Sequence, residues 1–114
     1  MALDKTLVTR STSLLLLKLL EDKDMYGYQM IEELARRSDD TFALKAGTLY
    51  PLLHDLEKQG AVRCYEGGAG GRVRKYYSLT KEGRKALAGR EEEWRAFSAG
   101  VEKVLKGGAA HAAV

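Results

Sequence analysis

The sequence predicts a mainly α-helical fold with one small β-hairpin. Up to residue 60, apolar residues recur at three- and four-residue spacing in three segments, which indicates three amphipathic helices. Between residues 62 and 79 the period changes to two on either side of a glycine-rich loop, which predicts a hairpin. A long helical segment then continues to about residue 106. This order is typical of a winged helix-turn-helix followed by one long C-terminal helix.

The three predicted helices differ in how much of their surface is apolar. The first covers about Leu7–Glu21, and its leucines occupy more than one stripe, so we expect it to be central and mostly buried. The second covers Tyr26–Arg37 and the third Ala46–Gln59, each with a single apolar stripe. Thr41–Leu44 connects these two helices, and a short strand there is one alternative.

Local signals mark the ends of these elements. Pro51 falls near the first turn of the third helix, where backbone amides lack intrahelical partners. Gly60 follows that helix at a position that favours a left-handed residue. Thr80 is the expected N-cap of the last helix, Lys81–Lys106. We therefore expect a winged-helix domain over residues 1–80, a dimerisation helix over residues 81–106 and a flexible tail over residues 107–114.

The composition favours one soluble domain. Its 114 residues fit a single core. The most apolar stretch, Leu14–Leu20, is short and interrupted by Lys18, and the N-terminus does not resemble a signal peptide. Cys64 is the only cysteine, so neither an internal disulfide nor a cysteine-based zinc site is expected. We expect a cytoplasmic protein with no membrane partner.

Positive charge is concentrated in one part of the chain. The net charge is only +3, but residues 61–90 contain eight basic and two acidic residues, a net +6. Clustered positive charge is typical of nucleic-acid binding proteins. A solvated basic face with no partner is the alternative that charge alone leaves open.

The third helix and the hairpin supply the candidate DNA-binding residues. Tyr50 and His54 share the helix face opposite the leucines, and an α-helix fits the major groove of B-DNA. The hairpin over residues 62–79, which we call the wing, supplies basic residues beside a glycine-rich loop. Such a loop can lie along a phosphate backbone or over a minor groove. An ordinary amphipathic helix with a wet face is the alternative. The predicted DNA-binding set is Lys45, Thr48, Tyr50, His54, Arg72, Arg74 and Lys75.

The glycine-rich loop could instead suggest a nucleotide-binding site. Its glycines fit neither a Walker loop nor a dinucleotide fingerprint, and no helix begins directly after it. We therefore favour a wing over a phosphate cradle.

Three sequence blocks resemble the PadR family of bacterial transcriptional regulators. They are Met-Tyr-Gly-Tyr-Gln-Met at 25–30, Gly-Thr-Leu-Tyr-Pro at 47–51 and Arg-Lys-Tyr-Tyr-Ser-Leu-Thr at 74–80. The resemblance implies a winged-helix repressor with a C-terminal dimerisation helix, and the short tail is similar to the smaller branch of that family. Lys45 and Ala46 depart from the small polar residue and proline that the family often has there. Lys45 is a poorer helix N-cap than the small polar residue that it replaces.

The last helix has an apolar seam that predicts a homodimer. Residues along it are spaced by seven, and two large aromatic groups on a terminal helix would be hard for a small monomer to cover. In some small PadR-like proteins, a tryptophan at a similar place stacks on planar drug-like ligands, so the resemblance makes Trp94 a candidate effector site. Packing of Trp94 within the dimer is the alternative. The predicted interface residues are Leu87, Trp94, Phe97, Val101 and Val104.

Catalysis has little support in the sequence. His54 and His111 are far apart, Cys64 has no base near it in sequence, and no metal-ligand spacing is visible. We therefore predict a protein that is not an enzyme and uses no cofactor. Its partners would be a roughly palindromic DNA operator, a second copy of the chain and a candidate planar hydrophobic effector. The alternative function is a ligand-binding or adaptor module that kept the scaffold without functional DNA binding.

Overall fold

The computed structural model describes the backbone of residues 5–68 and 70–107, and the side chains from residue 10 onward within them. The predicted tail at 107–114 lies outside the described residues beyond Gly107. Within the described residues, four helices and the two strands of the hairpin follow one another in the predicted order, and one further strand lies between the first two helices. They are α1 (Lys5–Asp22), β1 (Met25–Tyr26), α2 (Gly27–Arg37), α3 (Ala46–Lys58), β2 (Val62–Gly67), β3 (Arg74–Leu79) and α4 (Lys81–Leu105).

The core lies around α1, as its leucine distribution predicts. Leu16 and Leu17 are fully buried, and Leu19 and Leu20 are nearly so. The leucine face of α3 packs into the same cluster, where Leu53 is also fully buried. Burial of such side chains stabilises the fold by roughly 1.5–3 kcal/mol each. The opposite face of α3 is thereby left to solvent.

The sheet has a third strand that the sequence did not reveal. Its order is β1-β3-β2, all antiparallel, with Met25 opposite Tyr77 and Val62 opposite Leu79. A strand of two residues is too short to show a period of two, so it could not be detected. The alternative strand at Thr41–Leu44 is wrong. That segment is an irregular connection, and its apolar side chains pack against the core instead of pairing with a strand.

The junction between the hairpin and α4 is tightly fixed. The backbone N–H of Gly83 donates to Oγ1 of Thr80 over 2.9 Å, which confirms the predicted N-cap. A Cβ atom at Gly83 would lie 2.0 Å from the carbonyl oxygen of Ala61, so only glycine allows this approach. Gly60 has a φ of +75°, as predicted for the end of α3. These contacts hold the base of the wing against α3 and α4.

The two halves of α4 have different surroundings. The first half packs on the winged-helix core, where Leu87 is 1% exposed, and Nζ of Lys18 lies 3.1 Å from a carboxylate oxygen of Glu91. After Glu91 no residue of α4 is buried. The prediction that Leu87 belongs to a dimer interface is therefore wrong, because its side chain is already covered by its own protomer.

Within the described residues, no helix is long and apolar enough to cross a membrane.

Candidate nucleic-acid interface

A groove of about 800 Å³ lies between α2, α3 and the base of the hairpin. Because the leucine face of α3 packs inward, its polar face forms one wall, while β3 and the residues just before it form the other. The groove is lined by Tyr26, Gly27, Tyr28, Glu32, Tyr50, His54, Arg72, Arg74, Lys75 and Tyr77. We call this the α3–wing groove.

The groove brings together five of the seven predicted DNA-binding residues. Tyr50 and His54 come from α3, where a spacing of four places both on one exposed face. Arg72, Arg74 and Lys75 come from the wing. Side chains separated by up to 25 positions in the chain therefore share one surface that presents three cations and several hydrogen-bonding groups.

The other two predicted residues lie at the start of α3. Lys45 is the N-cap residue and makes no side-chain cap hydrogen bond, which agrees with its being a poor cap. Thr48 follows in the first turn, and both residues are exposed. Neither lines the groove, but both lie on the helix end next to it.

Arg74 is held by an aromatic surface that the sequence did not reveal. Its guanidinium carbon lies 4.2 Å from the ring centre of Tyr26, a cation–π contact. The ring of Tyr76 meets Tyr26 edge-on at 5.5 Å and stacks on Tyr65 at 5.8 Å. We call these three rings the tyrosine stack. Pairing of β1 with β3 brings Tyr26 and Tyr76 opposite each other, so the short third strand creates the stack.

A hydrogen bond ties the far end of the stack to the segment before β1. The hydroxyl of Tyr65 donates to the carboxylate of Asp24 over 2.6 Å, and this bond raises the pKa of Tyr65. At the floor of the groove, burial raises the pKa of Tyr77 to about 12, with a smaller contribution from Cys64. Both phenols therefore remain neutral hydrogen-bonding groups at physiological pH.

Two glycines shape the groove and the wing. A Cβ atom at Gly27 would lie 2.3 Å from the hydroxyl oxygen of Tyr50, so the missing side chain lets Tyr50 lie across the start of α2. Gly68 has a φ of +140°, and a Cβ there would lie 2.1 Å from the carbonyl oxygen of Arg72. The sequence showed Gly27 only as part of a motif, without this contact.

The outer half of α4 presents a second surface. Trp94 is 47% exposed and Phe97 62% exposed, and their ring centres lie 6.2 Å apart. Val101 and Val104 continue the same exposed seam. We call these four residues the α4 apolar face. Beside it, Trp94 helps to line a cavity of about 300 Å³ with Ser11, Leu14, Leu15, Lys18, Phe42, Glu91 and Arg95.

Side chains that could bind a metal ion or act as a nucleophile are also placed by the described residues. Between residues 5 and 107, leaving out position 69, no group of three His, Cys, Asp or Glu side chains could hold a metal ion. The sulfur of Cys64 lies beside the Tyr77 hydroxyl, in a strand rather than at a helix start.

Comparison with known proteins agrees with this architecture. Residues 16–89 match the family described as Transcriptional regulator PadR-like family. Transcriptional regulator Rv3488 of Mycobacterium tuberculosis is 36% identical over 92 residues, which cover 81% of this chain and 79% of that protein. A transcriptional regulator from Clostridium thermocellum has a similar structure, with a TM-score of 0.80 and 29% identity over 87% of this chain and 97% of the other. The structure of a PadR family transcription regulator from Clostridium difficile is also similar, with a TM-score of 0.71 and 34% sequence identity, covering 82% of this chain and 96% of the other.

The four helices, the small antiparallel sheet and the groove define a winged helix-turn-helix protein of the regulator class. Within that class, the chain belongs to the PadR-like family of transcriptional regulators. Members of this family are transcriptional regulators, not enzymes.

Proposed function

We propose that the chain is a homodimeric, cytoplasmic DNA-binding protein that represses transcription by occupying a roughly palindromic operator. The observation that carries the proposal is the α3–wing groove, because it places Tyr50 and His54 next to Arg72, Arg74 and Lys75. Helix α3 is the element that can enter a major groove, where base edges are distinguishable. The wing cations are suited to the adjacent phosphates, which determine affinity and orientation.

The α4 apolar face supports a dimer. An exposed aromatic and aliphatic seam of this kind marks an interface in small soluble proteins. The two copies of α3, which we call the reading helices, must also lie about 34 Å apart to enter successive major grooves on one face of the duplex. A two-fold dimer provides that spacing. We therefore propose that residues 81–106 form the dimerisation helix of a winged-helix domain over residues 1–80.

An effector that releases the DNA would have a place beside Trp94. The cavity there is lined by the apolar side chains of Leu14, Leu15, Phe42 and Trp94 and by the polar side chains of Ser11, Lys18, Glu91 and Arg95. Its position between α1 and α4 would let a planar hydrophobic molecule change the angle between the dimerisation helix and the reading helices. A fluorescence titration of Trp94 with planar aromatic dyes tests this part, and no quenching at saturating dye would contradict it.

Substitutions separate the roles of the wing and the reading helix. Arg72→Ala and Lys75→Ala should weaken binding to all duplexes alike, because phosphate contacts hold no sequence information. Thr48→Ala and His54→Ala should also change the preference among operator variants. Gel-shift titrations of the DNA upstream of its own gene, and of single-base variants, make the comparison. Unchanged affinity in both wing variants would contradict a wing that touches the backbone.

A further inference from the structure

We propose that Glu32 is a specificity-determining residue of the α3–wing groove. The carboxylate of Glu32 disfavours duplexes that do not present an amino group to it. The inference rests on the proposed DNA-binding function. It goes beyond that function because it assigns a negative charge a constructive role in an interface that otherwise attracts a polyanion.

The position of Glu32 is the first observation. It lies on α2, one turn after Tyr28, and it lines the groove together with His54 and the wing cations. Its side chain is exposed, so DNA that fills the groove meets its carboxylate. Within residues 10–68 and 70–107, no salt bridge joins Glu32 to a cation.

The neighbouring glutamate behaves differently. The carboxylate of Glu33 accepts hydrogen bonds from Arg36 and from Nε of Arg37, the latter over 2.8 Å. These bonds lower the pKa of Glu33 to about 2. The two adjacent acidic residues thus differ, because Glu33 is ion-paired with arginines of its own helix, whereas the described residues show no such partner for Glu32.

The chemistry of a carboxylate determines what it accepts. An ionised carboxylate is an acceptor only, so phosphate oxygens and the acceptor atoms of guanine and thymine repel it. The donors that the major groove offers are the amino groups of cytosine and adenine. Where an amino group is placed against Glu32, a hydrogen bond offsets the repulsion. Elsewhere the negative charge weakens binding without compensation.

Removal of the charge should therefore improve binding to the wrong DNA. Glu32→Gln should bind random-sequence duplex about fivefold more tightly, the effect of two like charges about 4 Å apart in water. Affinity for the operator should rise less or fall, because the favourable hydrogen bond there is lost or altered. The ratio of operator affinity to random-sequence affinity should therefore fall, by roughly fivefold where operator affinity is unchanged and by more where it falls. Glu32→Ala should show the same loss of discrimination without a new amide contact.

The experiment begins with selection of duplexes by the full-length protein from a randomised library. The selected site and a random duplex of equal length are then titrated with the unsubstituted protein, Glu32→Gln, Glu32→Ala and the control Glu92→Gln. Glu92 is exposed on α4, so its substitution makes the same change in net charge outside the groove. An unchanged ratio in both Glu32 variants, or an equal rise on both duplexes, overturns the inference. Failure of the unsubstituted protein to bind any duplex overturns the proposed function as well, so the two failures are distinguishable.

Discussion

Two charges in the α4 apolar face should dissociate the dimer. Trp94 and Phe97 are 47% and 62% exposed in the protomer. With about 200 Å² for an aromatic side chain, they leave roughly 200 Å² uncovered in each protomer and 400 Å² in a dimer. At about 25 cal/mol per Å², covering that surface contributes about 10 kcal/mol. This is comparable with the roughly 4–15 kcal/mol that association costs in lost freedom.

Phe97→Asp combined with Val101→Asp removes more than half of that contribution. Loss of the two Phe97 rings alone removes roughly 250 Å² of apolar surface that the dimer would bury, which lowers the association free energy by about 6 kcal/mol. This corresponds to a dimer Kd that is weaker by about four orders of magnitude. Buried unpaired carboxylates add further cost. We expect a folded monomer at micromolar concentration and loss of tight operator binding in the same variant. Sedimentation equilibrium measures the mass, and circular dichroism checks the fold.

A matched control distinguishes the seam from the helix as a whole. Ala99 is exposed on the side of α4 opposite Phe97, so Ala99→Asp adds one such charge to the same helix outside the proposed interface, a control for the single variant Phe97→Asp. It should leave the dimer intact. A double-Asp variant that remains dimeric would refute the assignment of this face, and a monomeric unsubstituted protein would refute the dimer itself.

Two further predictions concern the wing and its junction with α4. Tyr26→Ala should weaken DNA binding by roughly two- to fivefold, because the cation–π contact that holds Arg74 contributes about 0.5–1 kcal/mol at an exposed site; Tyr26→Phe should restore binding, and equal loss in both variants in a gel shift would show that the ring does not orient the arginine. Gly83→Ala should lower the free energy of unfolding by roughly 1–3 kcal/mol through overpacking against Ala61. Urea denaturation compares it with Gly89→Ala, at a helical position with open space, which should not destabilise the protein.

Much of the architecture is predictable because long periodic segments determine it. The apolar stripes of the first three helices, the change of period at Val62 and the long helical segment after Thr80 were sufficient to place four helices and the hairpin. Strand β1 was missed because two residues hold no periodic signal. The tyrosine stack around Arg74 depends on that strand, so it was not predicted either. Leu87 was assigned to the dimer seam because spacing by seven does not distinguish a partner chain from the protomer's own α1.

The groove shows the same division between chain pattern and packing. Tyr50 and His54 could be placed on one face by helical spacing alone. Their proximity to the wing depends on the close approach of Tyr50 to Gly27 and on the sheet pairing, both of which arise from contacts distant in sequence. Glu32 has no signal in the sequence beyond its place on the second helix, and only the structure shows that it lines the groove beside His54 and the wing cations.

Salt dependence of operator binding tests the central claim most directly. Each phosphate contact releases counterions, so the logarithm of the affinity should fall linearly with the logarithm of salt, with a slope near −0.9 per contact. Titrations between about 50 and 200 mM salt measure that slope for the DNA upstream of the gene. Arg72→Ala, present in both protomers of a dimer, should make the slope shallower by about 1.8 if each Arg72 contacts one phosphate. A slope near zero, or one that Arg72→Ala leaves unchanged, would contradict a wing that holds the DNA backbone.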